Sequence, residues 1–152
     1  MRNPQLEIDC GPNFITGDFP MVADAHAEFD KQVLRVVAAL YKSHPRTVNL
    51  GWETTLVPPP HENDTDFEER AASSDGTILW LFRSGLVVGN LTESTHPAIL
   101  DAQLSPHAYS ILRKQDNAVT DPTLGQAAVR AAAEPGSREE SVVAELIVRR
   151  LS

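Results

Sequence analysis

Apolar side chains recur at helical spacing between residues 67 and 85, and this pattern constrains the fold more than any other feature of the chain. Residues three or four positions apart lie on the same side of a helix. One continuous helix over Asp64–Ser84 explains the pattern, and Gly85 suits the left-handed position that follows a helix. A break within Ser74–Gly76 is the main alternative. The residues on the apolar side are Phe67, Ala71, Ser74, Ile78, Leu81 and Phe82.

Two β-like runs follow this helix. Leu86–Leu91 and Ala98–Leu104 are rich in apolar residues, and the turn-rich segment Thr92–Pro97 joins them. This arrangement predicts a β-hairpin. The pair Ser105-Pro106 is typical of a helix start. The serine side chain accepts from an N–H group of the first turn, and proline has no N–H group that would stay unpaired there. A short helix is therefore predicted after the hairpin.

The chain before this stretch predicts another long helix and a short strand. The helix begins at Asp24, a plausible N-cap, and ends before His44-Pro45. Thr47–Leu50 is predicted to be a strand, and Gly51–Leu56 a helical turn. The apolar stripe of the helix comprises Phe29, Val33, Val36, Val37 and Leu40.

The two ends of the chain differ in composition from its middle. Residues 1–23 contain three prolines and two glycines, which predicts an extended arm. After residue 115, an alanine-rich helix is predicted over Thr123–Glu134. A last helix follows from Ser137, which with Glu140 forms a capping-box pattern. The predicted organisation is an N-terminal arm (1–23), a central domain (24–115) and a C-terminal helical tail (116–152).

The order of these elements and three motifs resemble winged-helix proteins. In Thr77–Val87 a helix ends at glycine before an apolar strand, and Leu104–Leu112 follows the hairpin. The alanine-rich Leu124–Ala131 resembles the tail of poorly characterised bacterial and phage-borne members. The likeness covers residues 26–134. It implies an α+β fold, with a winged-helix core whose hairpin is the wing, an N-terminal arm and C-terminal helices, and it says little about activity because one fold hosts many functions.

This chain departs from the winged-helix pattern just after the hairpin. Ser105, His107 and Ala108 stand where the pattern has threonine, lysine and glycine. The missing lysine removes a cation from a position near the wing. This difference argues against a function in nucleic-acid binding.

The acidity of the chain argues against DNA binding, the commonest function of winged-helix proteins. The net charge is −8, and residues 26–115 alone contain eight Lys or Arg against eleven Asp or Glu. Five carboxylates crowd into residues 62–69, at the predicted start of the second long helix. Proteins that bind DNA present basic surfaces, because neutralising phosphates supplies most of the non-specific affinity. Sequence-specific DNA binding is therefore disfavoured.

Two surfaces are predicted to bind a protein partner. Thr77, Trp80 and Arg83 lie opposite the apolar side of the second long helix. A large aromatic residue such as Trp80 is a typical interface anchor, and its burial under other elements is the alternative. An isolated last helix would be marginal in water, so its apolar side must dock on its own domain, on a second copy or on a membrane interface. Acidic residues on the helix make the membrane the weakest of the three. We expect a homodimer. The residues assigned to that contact are Val143, Leu146 and Ile147.

The predicted function is that of a regulatory module that is not an enzyme and that acts through protein–protein contacts and self-association. The alternative is a DNA-binding regulator in which a dimer gathers Arg46, Arg70 and Arg83 on one face. No nucleotide-binding or nucleophile motif occurs, and the histidines lack metal-ligand spacing, so no catalytic, cofactor or metal site is predicted. No apolar run reaches the roughly 18 residues of a membrane span, and we expect a cytoplasmic protein.

Overall fold

The computed structural model describes residues 18–58, 65–92, 94–115 and 122–152. Within these ranges the elements follow one another in an order that starts with a long helix and ends with three helices. They are α1 (Asp18–Ser43), β1 (Val48–Leu50), α2 (Trp52–Thr55), α3 (Phe67–Arg83), β2 (Val87–Leu91), β3 (Ile99–Leu104), α4 (Pro106–Leu112), α5 (Leu124–Ala132) and α6 (Arg138–Leu151).

The protein is α+β, as the sequence predicts. The three strands form one antiparallel sheet in the order β1-β3-β2, so β3 is its central strand. The predicted hairpin is confirmed, with Val87 opposite Leu104 and Leu91 opposite Ile99. The predicted short strand is confirmed as β1, which pairs with the other edge of β3.

Helix α1 lies at the centre of the hydrophobic core. It contacts the helices α2, α3, α5 and α6 and the strands β1 and β3. The helices that follow residue 115 contribute Ala128, Ala131 and Ile147 to the same core cluster. The three-part division of the chain stays a prediction. Within the described ranges, no helix is long and apolar enough to cross a membrane.

The start of α1 differs from the prediction. The helix begins at Asp18, whereas the sequence places its N-cap at Asp24 and assigns residues 18–23 to an extended arm. Pro20 does not prevent this, because the first four N–H groups of a helix have no partner within the helix and proline in the first turn removes nothing. The rest of the predicted arm, residues 1–17, lies outside the described residues.

Helix α3 is continuous through Ser74–Gly76, so the predicted long helix is confirmed and the predicted break is not found. Its buried residues are Ala71, Ser74, Thr77, Ile78 and Leu81. The aromatic residues Phe67 and Phe82, expected on the apolar side, are only half-buried. Gly85 has a φ of 79°, the left-handed conformation predicted after this helix.

Short side-chain caps begin the last three helices. The Oγ atoms of Ser105 and Ser137 accept from the backbone N–H groups of Ala108 and Glu140, each at 3.1 Å. The predicted Ser105 and Ser137 caps are thus confirmed. Helix α5 begins with a full capping box that the sequence analysis does not predict. Thr123 Oγ1 accepts from the Gln126 N–H at 3.1 Å, and Gln126 Oε1 accepts from the Thr123 N–H at 2.9 Å.

Candidate functional site

The three residues predicted to bind a partner on α3 lie in different settings. Arg83 is exposed, Trp80 is half-buried, and Thr77 is only 1% exposed. The prediction that Thr77 lies on the outer side of the helix is therefore wrong. In this fold its side chain is not available to a partner.

Thr77 is buried because it joins a polar contact between α3 and α1. Its hydroxyl donates to Gln32 Oε1 at 2.6 Å, and Gln32 Nε2 donates to Ser73 Oγ at 3.0 Å. Ser74 and Thr55 share a further hydrogen bond beside them. Buried polar groups are tolerated when they pair with one another. One sequence signal marks this contact, because Gln32 stands on the apolar stripe of α1.

Trp80 is partly covered by the first helix. Its ring meets the Phe29 ring edge to face, with 5.1 Å between the centroids and an angle of 84°. Pairs in this geometry contribute about 0.5–1.5 kcal/mol beyond the burial of their area. Trp80 therefore contributes to the packing of α3 on α1, and only part of its surface remains for a partner.

The residues predicted to form a dimer contact on α6 lie largely in the chain's own core. Ile147 is fully buried and Val143 is 9% exposed, while Leu146 is half-buried. They pack on α1 and its neighbours, so the helix docks on its own domain, which was the alternative. Val143 and Ile147 are therefore buried within the chain and are not available for the dimer contact assigned to them. The neighbouring Val142, 57% exposed, is the more accessible apolar residue.

The three arginines of the DNA-binding alternative are not on one face. Arg70 and Arg83 are separated by 13 positions of α3, which is about 20 Å along the helix axis and places them on nearly opposite sides. Arg70 also donates to the carbonyl oxygen of Pro58. Arg46 lies elsewhere, in the loop between α1 and β1. One chain therefore does not gather these cations on one face.

A histidine–aspartate–tryptophan cluster, which the sequence did not predict, connects the hairpin loop to α3. His96 Nδ1 donates to Asp75 Oδ2 at 2.7 Å, and Trp52 Nε1 donates to Asp75 Oδ1 at 3.1 Å. The Trp52 ring lies edge-on to the rings of His96 and Phe67, with centroid distances of 4.4 and 5.3 Å. These side chains come from the loop after β2, from α2 and from α3. Their separation in sequence explains why no local motif revealed them.

Within this cluster, His96 and Asp75 have the geometry of two of the three members of a catalytic triad. A carboxylate that accepts from Nδ1 orients the imidazole, and such a pair activates a nucleophile when a hydroxyl or thiol lies within about 3.2 Å of the other ring nitrogen. Among the described residues, no hydroxyl or thiol is hydrogen-bonded to the His96 ring. In this structure the cluster holds the hairpin loop against α2 and α3.

A buried ion pair fixes α6 against α1. Arg35 Nη2 donates to Glu140 Oε2 at 3.3 Å, and Arg35 Nη1 donates to the carbonyl oxygen of Thr55 at 2.8 Å. The two side chains are 9% and 1% exposed. Glu140 Oε1 also accepts from the backbone N–H of Gly136 at 3.0 Å, one residue before the N–H expected for a capping box. The sequence identified the cap but not the ion pair.

A second acidic group lies in a surface groove between α1 and α6. The groove is lined by Ala27, Asp30, Lys31, Ser141 and Glu145. Burial raises the pKa of the Asp30 carboxyl above its ordinary value, the nearby charge of Glu145 raises it further, and His26 acts in the opposite direction. The ionised form of Asp30 is therefore disfavoured by folding.

Comparisons of the chain with protein-family models, with curated proteins and with solved structures find no match. Within the described part of the chain, no group of three or more His, Cys, Asp or Glu side chains is placed to hold a metal ion.

Proposed function

We propose that this chain is a winged-helix module that functions by binding another protein. The proposal is supported by the order of its elements. A long helix, a short strand, a helical turn, a second long helix and a hairpin follow one another, and the sheet order is β1-β3-β2. In a winged helix of this order, α3 occupies the place of the recognition helix and the loop between β2 and β3 that of the wing.

The composition of the exposed surface of α3 carries the proposal. A helix that reads DNA presents Arg, Lys, Asn or Gln to the base edges and avoids negative charge beside the phosphates. Here the first turn exposes two carboxylates, and the last turn supplies the only exposed cation. The exposed residues of α3 are Glu68, Glu69, Ala72, Gly76 and Arg83.

The position of the hairpin loop supports the same conclusion. In DNA complexes of this architecture, the wing extends beside the recognition helix towards the DNA. In this protein His96 ties its part of the loop to α3, because Asp75 accepts its Nδ1–H at 2.7 Å. A loop tied to α3 in this way has less freedom to follow a DNA groove. The DNA-binding alternative lacks comparable support, because Arg70 and Arg83 lie far apart on α3.

Self-association is part of the proposal, and the outer side of α6 is the surface that we assign to it. Val142 is 57% exposed there, and Leu146, one turn further on, is half-buried. Removing the whole helix would not test this surface, because α6 supplies Ile147 and Leu151 to the core. Light scattering on a Val142→Glu variant is the appropriate test. A dimer that persists unchanged in this variant would exclude the assigned surface.

Capture from the source cells tests the proposed function. Tagged chain is cross-linked briefly, recovered, and compared with and without nuclease treatment, with an unrelated acidic protein of similar net charge as the control. The proposal predicts a specific protein that is retained after nuclease and is absent from the control. Recovery of nucleic acid, with every accompanying protein lost after nuclease, would contradict it.

A further inference from the structure

The cations of this acidic protein are unevenly distributed. Residues 31–52 and 102–115 contain six of the 13 Lys and Arg residues and no Asp or Glu, so the rest of the chain contains seven cations and all 21 acidic residues. The first stretch ends α1 and forms β1, and the second forms most of β3 and α4. A chain with net charge −8 thus has two segments that carry only positive charge.

Aromatic contacts bring these two segments together. The His44 ring, just after α1, stacks on the Tyr109 ring of α4, with 3.8 Å between the centroids and an angle of 17°. Tyr41 contacts the same ring at 5.8 Å. We use the name basic patch for five residues at this junction. They are His44, Arg46, Tyr109, Arg113 and Lys114.

The cations of the basic patch are exposed, and one of them is held in place. Arg113 lies over the Tyr109 ring, with its guanidinium carbon 5.6 Å from the centroid, and its Nη1 donates to the Tyr109 hydroxyl at 3.3 Å. Within the described residues, the other guanidinium donors of Arg113 have no partner and can face a ligand. Lys114 follows Arg113 directly in the sequence. Arg46 is two residues from His44, so the Cα atoms of Arg46 and His44 are at most about 7 Å apart. All three cations are exposed.

The basic patch is small, and acidic residues border it. Asp101 accepts from the Thr47 hydroxyl at 3.5 Å, one residue from Arg46, and acidic residues resume in the sequence at Asp116. An extended polyanion such as a nucleic-acid strand would run from the patch onto acidic surface, where its phosphates are repelled. A short acidic segment of a protein avoids this repulsion.

We propose that the basic patch is the docking site of the protein partner and that the partner presents a short segment rich in Asp and Glu. This inference rests on the proposed function. Carboxylates pair well with a guanidinium whose geometry is already fixed, because less side-chain freedom is lost on binding. A competing role for Arg113 and Lys114 is to stabilise the C-terminal end of α4, where cations are favourable. That role predicts a change in stability without a change in binding.

Fluorescence anisotropy with defined probes tests the inference on the full chain. The probes are a labelled peptide rich in Glu and Leu, its twin with Gln in place of Glu, and an oligothymidylate of the same length. The test variant is Arg113→Gln with Lys114→Gln. The control variant is Arg138→Gln with Arg149→Gln, which removes two exposed arginines of α6 and gives the same change in net charge. Circular dichroism establishes that both variants are folded.

The inference predicts that the Glu peptide binds and its Gln twin does not. The test variant loses at least about fivefold in affinity for the Glu peptide at low salt, which corresponds to two exposed ion pairs. The control variant changes by less than about twofold, because its exposed charges lie on α6, outside the patch, and are screened by salt. Equal losses in the two variants, no binding of the Glu peptide, or tighter binding of oligothymidylate would each overturn it.

The capture experiment separates failure of the basic patch from failure of the proposed function. A protein that resists nuclease and is retained equally by the wild type and by the Arg113→Gln, Lys114→Gln variant would overturn the patch and leave the proposed function standing. If the test variant loses that protein and the control variant keeps it, the patch is its docking site.

Discussion

Arg35 and Arg113 occupy contrasting environments in this protein. Arg35 is 9% exposed on α1, where the Thr55 carbonyl and the Glu140 carboxylate fix it. Arg113 is exposed at the end of α4, where Tyr109 holds it. A guanidinium buried among its partners contributes to folding, and its burial makes it inaccessible to a ligand. An exposed guanidinium contributes little to stability but keeps donors that can bind a ligand.

The largest expected effect concerns the buried arginine. Replacing Glu140 by Ala removes the buried partner of Arg35 and leaves only Glu28, whose half-exposed carboxylate lies 3.5 Å from Arg35 Nη1. We expect a loss of about 3 kcal/mol, the lower end of the range for breaking a buried ion pair. Urea unfolding measures the loss. Glu139→Ala is the matched control, because Glu139 is exposed on the same turn, and its effect is expected to be about 1 kcal/mol or less.

A double substitution sharpens the comparison. Replacing Arg35 by Met and Glu140 by Leu removes both charges while keeping apolar volume, so most of the stability lost in Glu140→Ala is expected to return. If Glu140→Ala unfolds no more easily than Glu139→Ala, the buried pair does not stabilise the position of α6.

The next largest effect concerns the contact that joins the core to the basic patch. Gly125 of α5 lies against the Tyr41 ring, which a Cβ at this position would overlap. Tyr41 also contacts Tyr109 and hydrogen-bonds Thr123 at 3.3 Å. Gly125→Ala is therefore expected to destabilise the fold by about 1–3 kcal/mol, as overpacking usually does.

Gly76 supplies the control for this substitution. A Cβ at Gly76, in the middle of α3, meets no atom within 4 Å. Gly76→Ala is therefore expected to stabilise the protein by about 0.5–1 kcal/mol, through helix propensity alone. Thermal unfolding of the two variants compares them, and equal effects would contradict the described packing of α5 on α1.

A smaller effect is expected at the exposed arginine. Tyr109→Phe keeps the ring contacts with His44 and removes the hydroxyl that accepts from Arg113. Stability is expected to change by about 0.5 kcal/mol or less, as for most surface substitutions. Affinity for the acidic peptide is expected to fall about two- to tenfold, since the guanidinium must then be ordered on binding. A loss of stability without a loss of affinity would contradict the role of Tyr109 in holding Arg113 for binding.

The smallest expected effect concerns Asp30. Its pKa is raised in the folded state, so folding disfavours the ionised carboxylate. The carboxylate therefore destabilises the fold at pH values above this pKa, and the destabilisation is lost as pH falls and the carboxylate is protonated. Asp30→Asn should therefore raise the free energy of unfolding at neutral pH by about 0.5 kcal/mol or less, and the melting temperature should rise slightly. Calorimetry from neutral to acidic pH should show this advantage shrinking. An advantage that grows as pH falls would contradict the direction of the shift.

The secondary structure could be predicted largely from local signals. The apolar spacing of α3, the turn-rich loop of the hairpin, and the Ser105 and Ser137 caps each depend on residues that are neighbours in sequence. The proline content of residues 1–23 misplaces the start of α1, because Pro20 stands in the first turn, where a helix tolerates proline.

The partners of side chains could not be predicted in the same way. Arg35 and Glu140 are 105 residues apart in sequence, and Thr77 is 45 residues from Gln32. Periodicity identifies the side of a helix that is buried but not the element that covers it. For this reason Val143 and Ile147 were correctly recognised as apolar positions that dock, and were assigned to the wrong surface. The histidine, aspartate and tryptophan of the hairpin contact are likewise distant in sequence.

Selection of duplex DNA from a random library, followed by titration of the enriched duplexes at physiological salt, tests the central claim most directly. The account predicts no enriched sequence and only weak binding, because the exposed surface of α3 carries Glu68 and Glu69 and a single cation, Arg83. Enrichment of a defined sequence that binds tightly, with an affinity that falls steeply as salt rises, would contradict it, since clustered contacts to phosphates produce that salt dependence.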